Sequence, residues 1–307
     1  MKVAFFTEAG TKRGMGHLIR CQTFASKFQQ VDFFLDTNVD YSYKFNNLKY
    51  FNWNNLTLQD FYDIIFIDSY EATKSVYDLL VTQAKITVYI DDYERLSYPQ
   101  GIIINFAPNA EKLFFKKRNI FNDYLLGLEY IPIRNIFIKY QKNIKENKIF
   151  IMLGGGDTAN LSEKVIYSLK DINLKKVIVV NSEKTKIELQ KYKDTEVLFK
   201  PSDEELIKQM SSSSFAISTA SMTLYELSFL KIPTIIIAVS QNQLIGVNQM
   251  IDNNLACSYI DIKKSYWEIS LKIEIEKLIK NKIEVKQKID GLGTKRIYEY
   301  IIKRLER

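Results

Sequence analysis

The sequence predicts an α/β protein made of two parallel-sheet units in tandem, and three observations carry that expectation. The chain has 307 residues, a length that suits two medium domains. Short runs rich in β-branched and aromatic residues recur along it, each continuous rather than alternating, as strands buried on both faces require. Stretches of helical length and period separate those runs. With 46% hydrophobic and 26% charged residues, the composition is that of an ordinary globular chain with enough apolar material for a real core.

In chain order, the first series of strand-like runs is KVAFF (2–6), VDFFL (31–35), DIIFID (63–68), ITVYID (86–91) and GIIIN (101–105). The second is KIFIML (148–153), KVIVV (176–180), TEVLF (195–199), FAIS (215–218) and TIIIA (234–238). Between the two series lies KYQKNIKENK (139–148), polar and without apolar periodicity, which marks it as the linker. The N-terminal domain is therefore expected over 1–140 and the C-terminal domain over 147–290. The last segment, from 291 to 307, places Ile297, Tyr300, Ile301 and Leu305 on one helical face, so it is expected to pack on one of the two domains.

Several function classes drop out at this level. Cys21 and Cys257 form no C-x-x-C pair, which argues against a disulfide framework or a structural zinc. His17 is the only histidine, so multi-histidine metal centres are excluded, and neither a metal nor a cofactor is expected. The first apolar stretch is too short for a signal peptide, and no run approaches the roughly 18 apolar residues of a membrane span. A soluble, cytoplasmic protein with no indicated membrane association is the expectation. Of the net charge of +7, residues 272–307 carry +5, from eleven Lys/Arg and six Asp/Glu interspersed at helical spacing. That is a solvated helix face rather than the basic stripe of a nucleic-acid binder. Nothing in the sequence specifies an oligomeric state.

Ligands of open α/β sheets bind beyond the carboxyl ends of the strands, which makes the loops after each run the places to look. The first run leads into TEAGTKRGMGHLIR, where Gly10, Gly14 and Gly16 form a side-chain-poor loop and His17 opens a helix expected over 17–27. Neither a dinucleotide fingerprint nor a Walker loop is present. The positive end of the helix dipole favours a neutral imidazole able to accept a proton, although a lone histidine there also serves as a cap or packing residue. Asp68 ends the third run and Ser69 and Tyr70 follow it, Asp91 ends the fourth and Asp92 follows, and Asn105 ends the fifth. Carboxylates so placed cap helices or orient a histidine.

In the second series, Gly154, Gly155, Gly156 and Asp157 precede a helix expected near Asn160, and serve either as an anion cradle or as a tight turn. Ser218 ends a strand, a Thr-Ala-Ser turn follows, and a helix of about ten residues carries Glu226. Hydroxyls beside free N–H groups at a helix start suit a diphosphate. Glu226 is placed to accept ribose hydroxyls or to stand on the surface.

Together, G-x-G-H-x-x-R after the first strand and S-T-A-S-x(4)-E with K-x-P in the second half resemble the glycosyltransferase B superfamily, two Rossmann-like domains facing a central cleft. Within it the chain resembles the PseG-like nucleotide-sugar hydrolases of pseudaminic acid biosynthesis, over nearly its whole length. The resemblance implies metal-independent, inverting hydrolysis of UDP-2,4-diacetamido-2,4,6-trideoxy-β-L-altropyranose to the free sugar and UDP, in the synthesis of nonulosonates such as those added to flagellin. It implies His17 as general base and Tyr70 beside the reacting centre. Gly14, Gly16, Arg20, Asp68, Asp91, Asn105, Asn242 and Gln243 would contact the sugar side of the substrate. UDP would lie on Gly155, Gly156, Ser221, Met222, Thr223 and Glu226. Ser69 departs from the family, which carries a second histidine there, and this bears on the choice of sugar. The same fold also serves glycosyltransferases that use a UDP-sugar donor, and a non-catalytic nucleotide-sugar-binding protein would keep it too.

Overall fold

A computed structural model describes the chain except for residues 11–12, 41–46, 114–117, 155–160, 240, 282, 284, 287 and 307, and it gives no side-chain placement at 113, 241–243 and 245. Two compact units divide the chain, one of Met1–Pro132 with Gly291–Arg307 and the other of Ile133–Asp290.

Unit 1 runs β1 (Val3–Ala9), α1 (Gly16–Ala25), β2 (Val31–Thr37), β3 (Leu48–Tyr50), β4 (Tyr62–Asp68), α2 (Lys74–Val81), β5 (Ala84–Ile90), β6 (Ile102–Asn105), α3 (Ala110–Leu113) and β7 (Asp123–Leu126). Its sheet is parallel throughout, in the order β3-β2-β1-β4-β5-β6-β7. Aromatic ladders pin the register at its centre. The rings of Phe5 and Phe66 stack at 4.4 Å across β1 and β4, and those of Phe6 and Phe34 at 4.3 Å across β1 and β2. Such pairs contribute about 0.5–1.5 kcal/mol each beyond their burial. That register sets Thr7 opposite Asp68 and Glu8 opposite Asp36, so the polar ends of three strands share one edge.

Unit 2 runs α4 (Ile136–Tyr140), β8 (Glu146–Met152), α5 (Leu161–Ser168), β9 (Lys175–Val180), α6 (Glu183–Leu189), β10 (Thr195–Phe199), α7 (Asp203–Ser211), β11 (Ser213–Ser218), α8 (Met222–Phe229), β12 (Thr234–Ala238), α9 (Gln241–Asp252), β13 (Ser258–Asp261) and α10 (Trp267–Asn281). Its parallel sheet has the order β10-β9-β8-β11-β12-β13. Ile149, Ile151, Ile178, Ile217, Ile235 and Ile237 form the sheet side of a core closed by α5 and α10. The boundary near 140 expected from the sequence and the division at Pro132–Ile133 differ by α4, which lies against α7 and buries Phe137 completely. The end of the polar stretch 139–148 is already strand β8.

The final helix, α11 (Gly293–Leu305), belongs to unit 1. Ile297 and Ile301 are buried, Leu305 is half-buried, and Tyr300 stands at the exposed margin of the stripe. Gly293 fixes the docking, because a Cβ there would come within 2.3 Å of the Ile131 carbonyl oxygen. No helix among the described residues is long and apolar enough to cross a membrane.

Each sheet reverses its strand order once, between β1 and β4 in unit 1 and between β8 and β11 in unit 2. The carboxyl ends of the strands at such a reversal leave the crevice in which ligands bind.

Candidate functional site

The crevice of unit 1 is built from the loop after β1, the start of α1, and the ends of β4 and β5. Gly10 and Gly14 pair as an antiparallel bridge, closing the loop on itself, with φ of +155° and +71° that favour glycine. Gly16 is the first residue of α1, and a Cβ on it would meet no atom within 4 Å, so no packing in unit 1 demands glycine there.

One turn of α1 brings His17 and Arg20 to the same side, where both are buried. The fully buried Asp68 at the end of β4 receives them together. Its Oδ1 lies 2.6 Å from His17 Nδ1 and accepts from Arg20 Nη2 at 2.6 Å, while its Oδ2 accepts from Arg20 Nε at 2.5 Å and from Cys21 Sγ at 3.7 Å. Burial acts to raise the Asp68 pKa, yet the Arg20 charge and the hydrogen bonds from Arg20 and His17 outweigh it and hold it at about 2, with a further pull whenever the imidazole is protonated. An ionised oxygen at 2.6 Å requires a proton between it and the imidazole, so Nδ1 carries the hydrogen. Nε2 then keeps its lone pair, and it has no hydrogen-bond partner among the described residues. A carboxylate–imidazole pair with a free Nε2 can take a proton from water or a hydroxyl.

Arg20 continues the network. Nη1 donates to Asp92 Oδ1 at 2.8 Å and Nη2 to Asp92 Oδ2 at 3.1 Å, and Tyr70 Oη donates to the same Oδ2. The Tyr70 ring returns to meet the imidazole edge-on, with centroids 4.4 Å apart. His17, Asp68, Arg20, Asp92 and Tyr70 thus form a closed circuit. Burial and the Asp92 charge push the Tyr70 phenol above its ordinary pKa, which keeps it a hydrogen-bond donor.

Several residues expected to touch substrate also have partners within unit 1. The Arg20 guanidinium is occupied by two carboxylates, so it sits behind His17 and orders it. Both oxygens of Asp91 accept from its own loop, from Arg95 N at 3.0 Å and Tyr93 N at 3.2 Å, so the carboxylate orders that loop and caps no helix. Asn105 Oδ1 likewise accepts from Ala107 N at 2.8 Å, and its buried Nδ2 has no partner among the described residues. Ser69 accepts from the amides of Glu71 and Ala72 and donates to Glu8, so its hydroxyl shapes the loop.

Sequence reasoning passed over Glu8. This carboxylate, 1% exposed, accepts from Trp53 Nε1 at 2.8 Å and Tyr70 N at 2.9 Å, and so fixes the backbone that carries Tyr70. An acid inside β1, whose other residues are apolar apart from Thr7, was the available signal.

In unit 2, α8 begins behind Ser221, whose Oγ makes no cap bond. The buried hydroxyls of Ser218 and Ser221 have no hydrogen-bond partner among the described residues, a state that suits a ligand or water. Gly154, at φ +96°, adjoins them across β8 and β11, since a Cβ on it would lie 3.8 Å from Thr219 Oγ1. Met222 opens α8, and Thr223 Oγ1 lies 3.8 Å from Met152 Sδ. Gly155 and Gly156 lie outside the described residues, as do the side chains of Asn242 and Gln243 in α9.

Glu226 is buried, not on the surface. Its Oε1 accepts from Arg134 Nε at 2.9 Å, and Arg134 Nη1 pairs with Asp203 at 3.1 Å. Burial raises the Glu226 pKa against the pull of Arg134. Oε2 has no hydrogen-bond partner among the described residues. Arg134 was missed because its partners lie 69 and 92 positions away.

The whole chain is similar in structure to MurG of Acinetobacter baumannii, with a TM-score of 0.67 at 13% identity, covering 99% of this chain and 100% of that one. It is also similar to S. aureus MnaA, solved with UDP, at a TM-score of 0.62 and 12% identity, covering 100% and 97%. The UDP-GlcNAc 2-epimerase of Methanocaldococcus jannaschii gives 0.60 at 10% identity, covering 99% and 100%. The fold is therefore that of the glycosyltransferase B enzymes. In sequence, the chain resembles PseG-like hydrolases. It is 29% identical over 250 residues to the Helicobacter pylori pseudaminic acid cytidylyltransferase and UDP-2,4-diacetamido-2,4,6-trideoxy-β-L-altropyranose hydrolase, covering 80% of this chain and 46% of that protein. The chain thus spans about half that relative's length. It is 23% identical over 203 residues to the Campylobacter jejuni hydrolase of the same sugar nucleotide, covering 62% of this chain and 74% of that protein. No family model matches.

Proposed function

We propose that the chain is a nucleotide-sugar hydrolase that cleaves the anomeric C–O bond of a UDP-linked 2,4-diacetamido-2,4,6-trideoxy hexose. The observation that carries this is the His17–Asp68 pair at the strand-order reversal of unit 1, with the Nε2 lone pair unengaged. Water placed against Nε2 attacks the anomeric carbon on the face opposite the diphosphate. Its proton passes to Nε2, the C–O bond breaks with its electron pair leaving on the diphosphate oxygen, and the free sugar departs with inverted configuration. Because UDP is a good leaving group, its charge needs donors rather than a carboxylic acid of the kind that ordinary glycosidases use on an alkoxide. The first N–H groups of α8 and the Ser218 and Ser221 hydroxyls, unpartnered among the described residues, suit that charge. Glu226 Oε2 suits a ribose hydroxyl, with Arg134 holding the carboxylate in place. The names of the two sequence relatives support the choice of sugar.

The test is incubation with UDP-2,4-diacetamido-2,4,6-trideoxy-β-L-altropyranose and no acceptor, with UDP and the first-formed anomer followed by NMR. Release of UDP and the inverted sugar, unaffected by a metal chelator, is the expected result. Release only after an acceptor is added would make the chain a transferase, and binding without release would make it a non-catalytic binder. Glu226→Gln should weaken UDP binding by about tenfold or more, as loss of a charged hydrogen-bond acceptor does. Calorimetry with UDP checks this, and unchanged affinity would remove Glu226 from the nucleotide site.

A further inference from the structure

The loop that leads into His17 is closed on itself by the Gly10–Gly14 bridge, and side-chain tethers are what attach it to the neighbouring strand ends. Arg13 supplies them. Its Nη1 donates to Asp36 Oδ1 at 2.7 Å and to the Asp36 carbonyl at 3.0 Å. Its Nε donates to Glu71 Oε1 at 2.7 Å, and Nη2 donates to Glu71 Oε2. The anchors are set by the fold. Asp36 is buried at the end of β2, where its Oδ2 accepts from Trp53 N at 2.9 Å, and Glu71 follows Tyr70 directly. One guanidinium therefore joins the His17 loop to the end of β2 on one side and to the segment bearing Tyr70 on the other. A two-pronged arginine–carboxylate contact fixes orientation as well as distance.

We propose that Arg13 is a positioning residue, whose clasp on Asp36 and Glu71 holds the His17 imidazole in register with Asp68 and the Tyr70 ring. The consequence for turnover rests on the reading of His17 as the base, but the consequence for ring placement does not. His17 is the only histidine in the chain, so a sample labelled with 15N in the imidazole reports a single ring, and its long-range proton–nitrogen spectrum reads the tautomer directly.

In Arg13→Ala the ring signals should move and broaden and the Nδ1–H tautomer should lose population. Turnover should fall by about 10- to 100-fold with KM within about 3-fold, the pattern of a displaced catalytic group rather than lost binding. Arg13→Lys should recover only part, since an ammonium cannot make the two-pronged contact. Glu71→Gln removes one arm without stranding a buried charge, and it should shift the same signals less; it carries the test if Arg13→Ala fails to fold. Ring signals and turnover unchanged in the folded variants would overturn the proposal. A wild type that releases no UDP, with His17 signals that still move in the variants, would overturn hydrolysis and leave the clasp standing.

Discussion

His17→Asn should reduce turnover of the UDP-sugar by on the order of 10²–10⁴-fold, the usual contribution of a positioned general base, while UDP and substrate still bind. Asparagine is the informative replacement because its Nδ2 falls near the position of imidazole Nδ1. The donor to Asp68 Oδ1, held at 2.6 Å in the native site, is therefore kept, and Asp68 and Arg20 remain paired. What disappears is Nε2. A rate loss of that size corresponds to about 3–5 kcal/mol of transition-state stabilisation. It should appear in kcat, with KM nearly constant, because water activation is a feature of the transition state alone. Steady-state UDP release together with calorimetric UDP binding checks both halves. Near-normal turnover would eliminate His17 as the base, and equal loss of binding would make it a structural residue.

The sequence revealed the architecture unevenly, and the reason is burial. Strands covered on both faces read as continuous apolar runs, and all ten such runs became strands. The three it missed, β3 (LKY), β7 (DYLL) and β13 (SYID), are short and lie at sheet edges, where one flank is open and apolar continuity is not required. Position at or after a strand end was enough to single out His17, Asp68 and Tyr70, which the structure brings into contact around the imidazole. Their connections were not legible, because a guanidinium's choice between substrate and carboxylate depends on residues far away in sequence. Arg20 finds Asp68 across 48 positions and Asp92 across 72, and Arg13 finds Glu71 across 58. Asp91 and Asp92 are neighbours with opposite assignments, one turned into its own loop and the other toward Arg20 and Tyr70. Strand polarity alone does not distinguish them.

Asp68→Asn is expected to be the most damaging single isosteric change, lowering turnover by on the order of 10³–10⁴-fold, as loss of a histidine's carboxylate partner does in catalytic triads. Both native oxygens receive donors: Oδ1 from His17 and Arg20, Oδ2 from Arg20 and Cys21. An amide must turn one of them into a donor. With the NH2 at the Oδ1 position, His17 is driven to the tautomer with its hydrogen on Nε2, and the base is lost. With the NH2 at the Oδ2 position, it confronts Arg20 Nε. In either case the buried guanidinium keeps only Asp92 as an ionised partner, at a cost of about 3 kcal/mol in folding stability. The pH dependence separates this charge effect from a packing defect. A folded pKa of about 2, below the ordinary value near 4, means that Asp68 contributes its stability fully above about pH 4 and loses it as the pH falls toward 2, an effect of order 2 kcal/mol. The gap in unfolding free energy between native and variant should therefore be widest near neutrality and narrow between pH 4 and 2. Denaturation can be read in a Trp267→Phe background, where Trp53, buried in unit 1, is the sole tryptophan and reports that unit. A gap that stays constant with pH would mean that Asp68 is not held ionised by Arg20 and His17, and the tautomer assigned to His17 would fall with it.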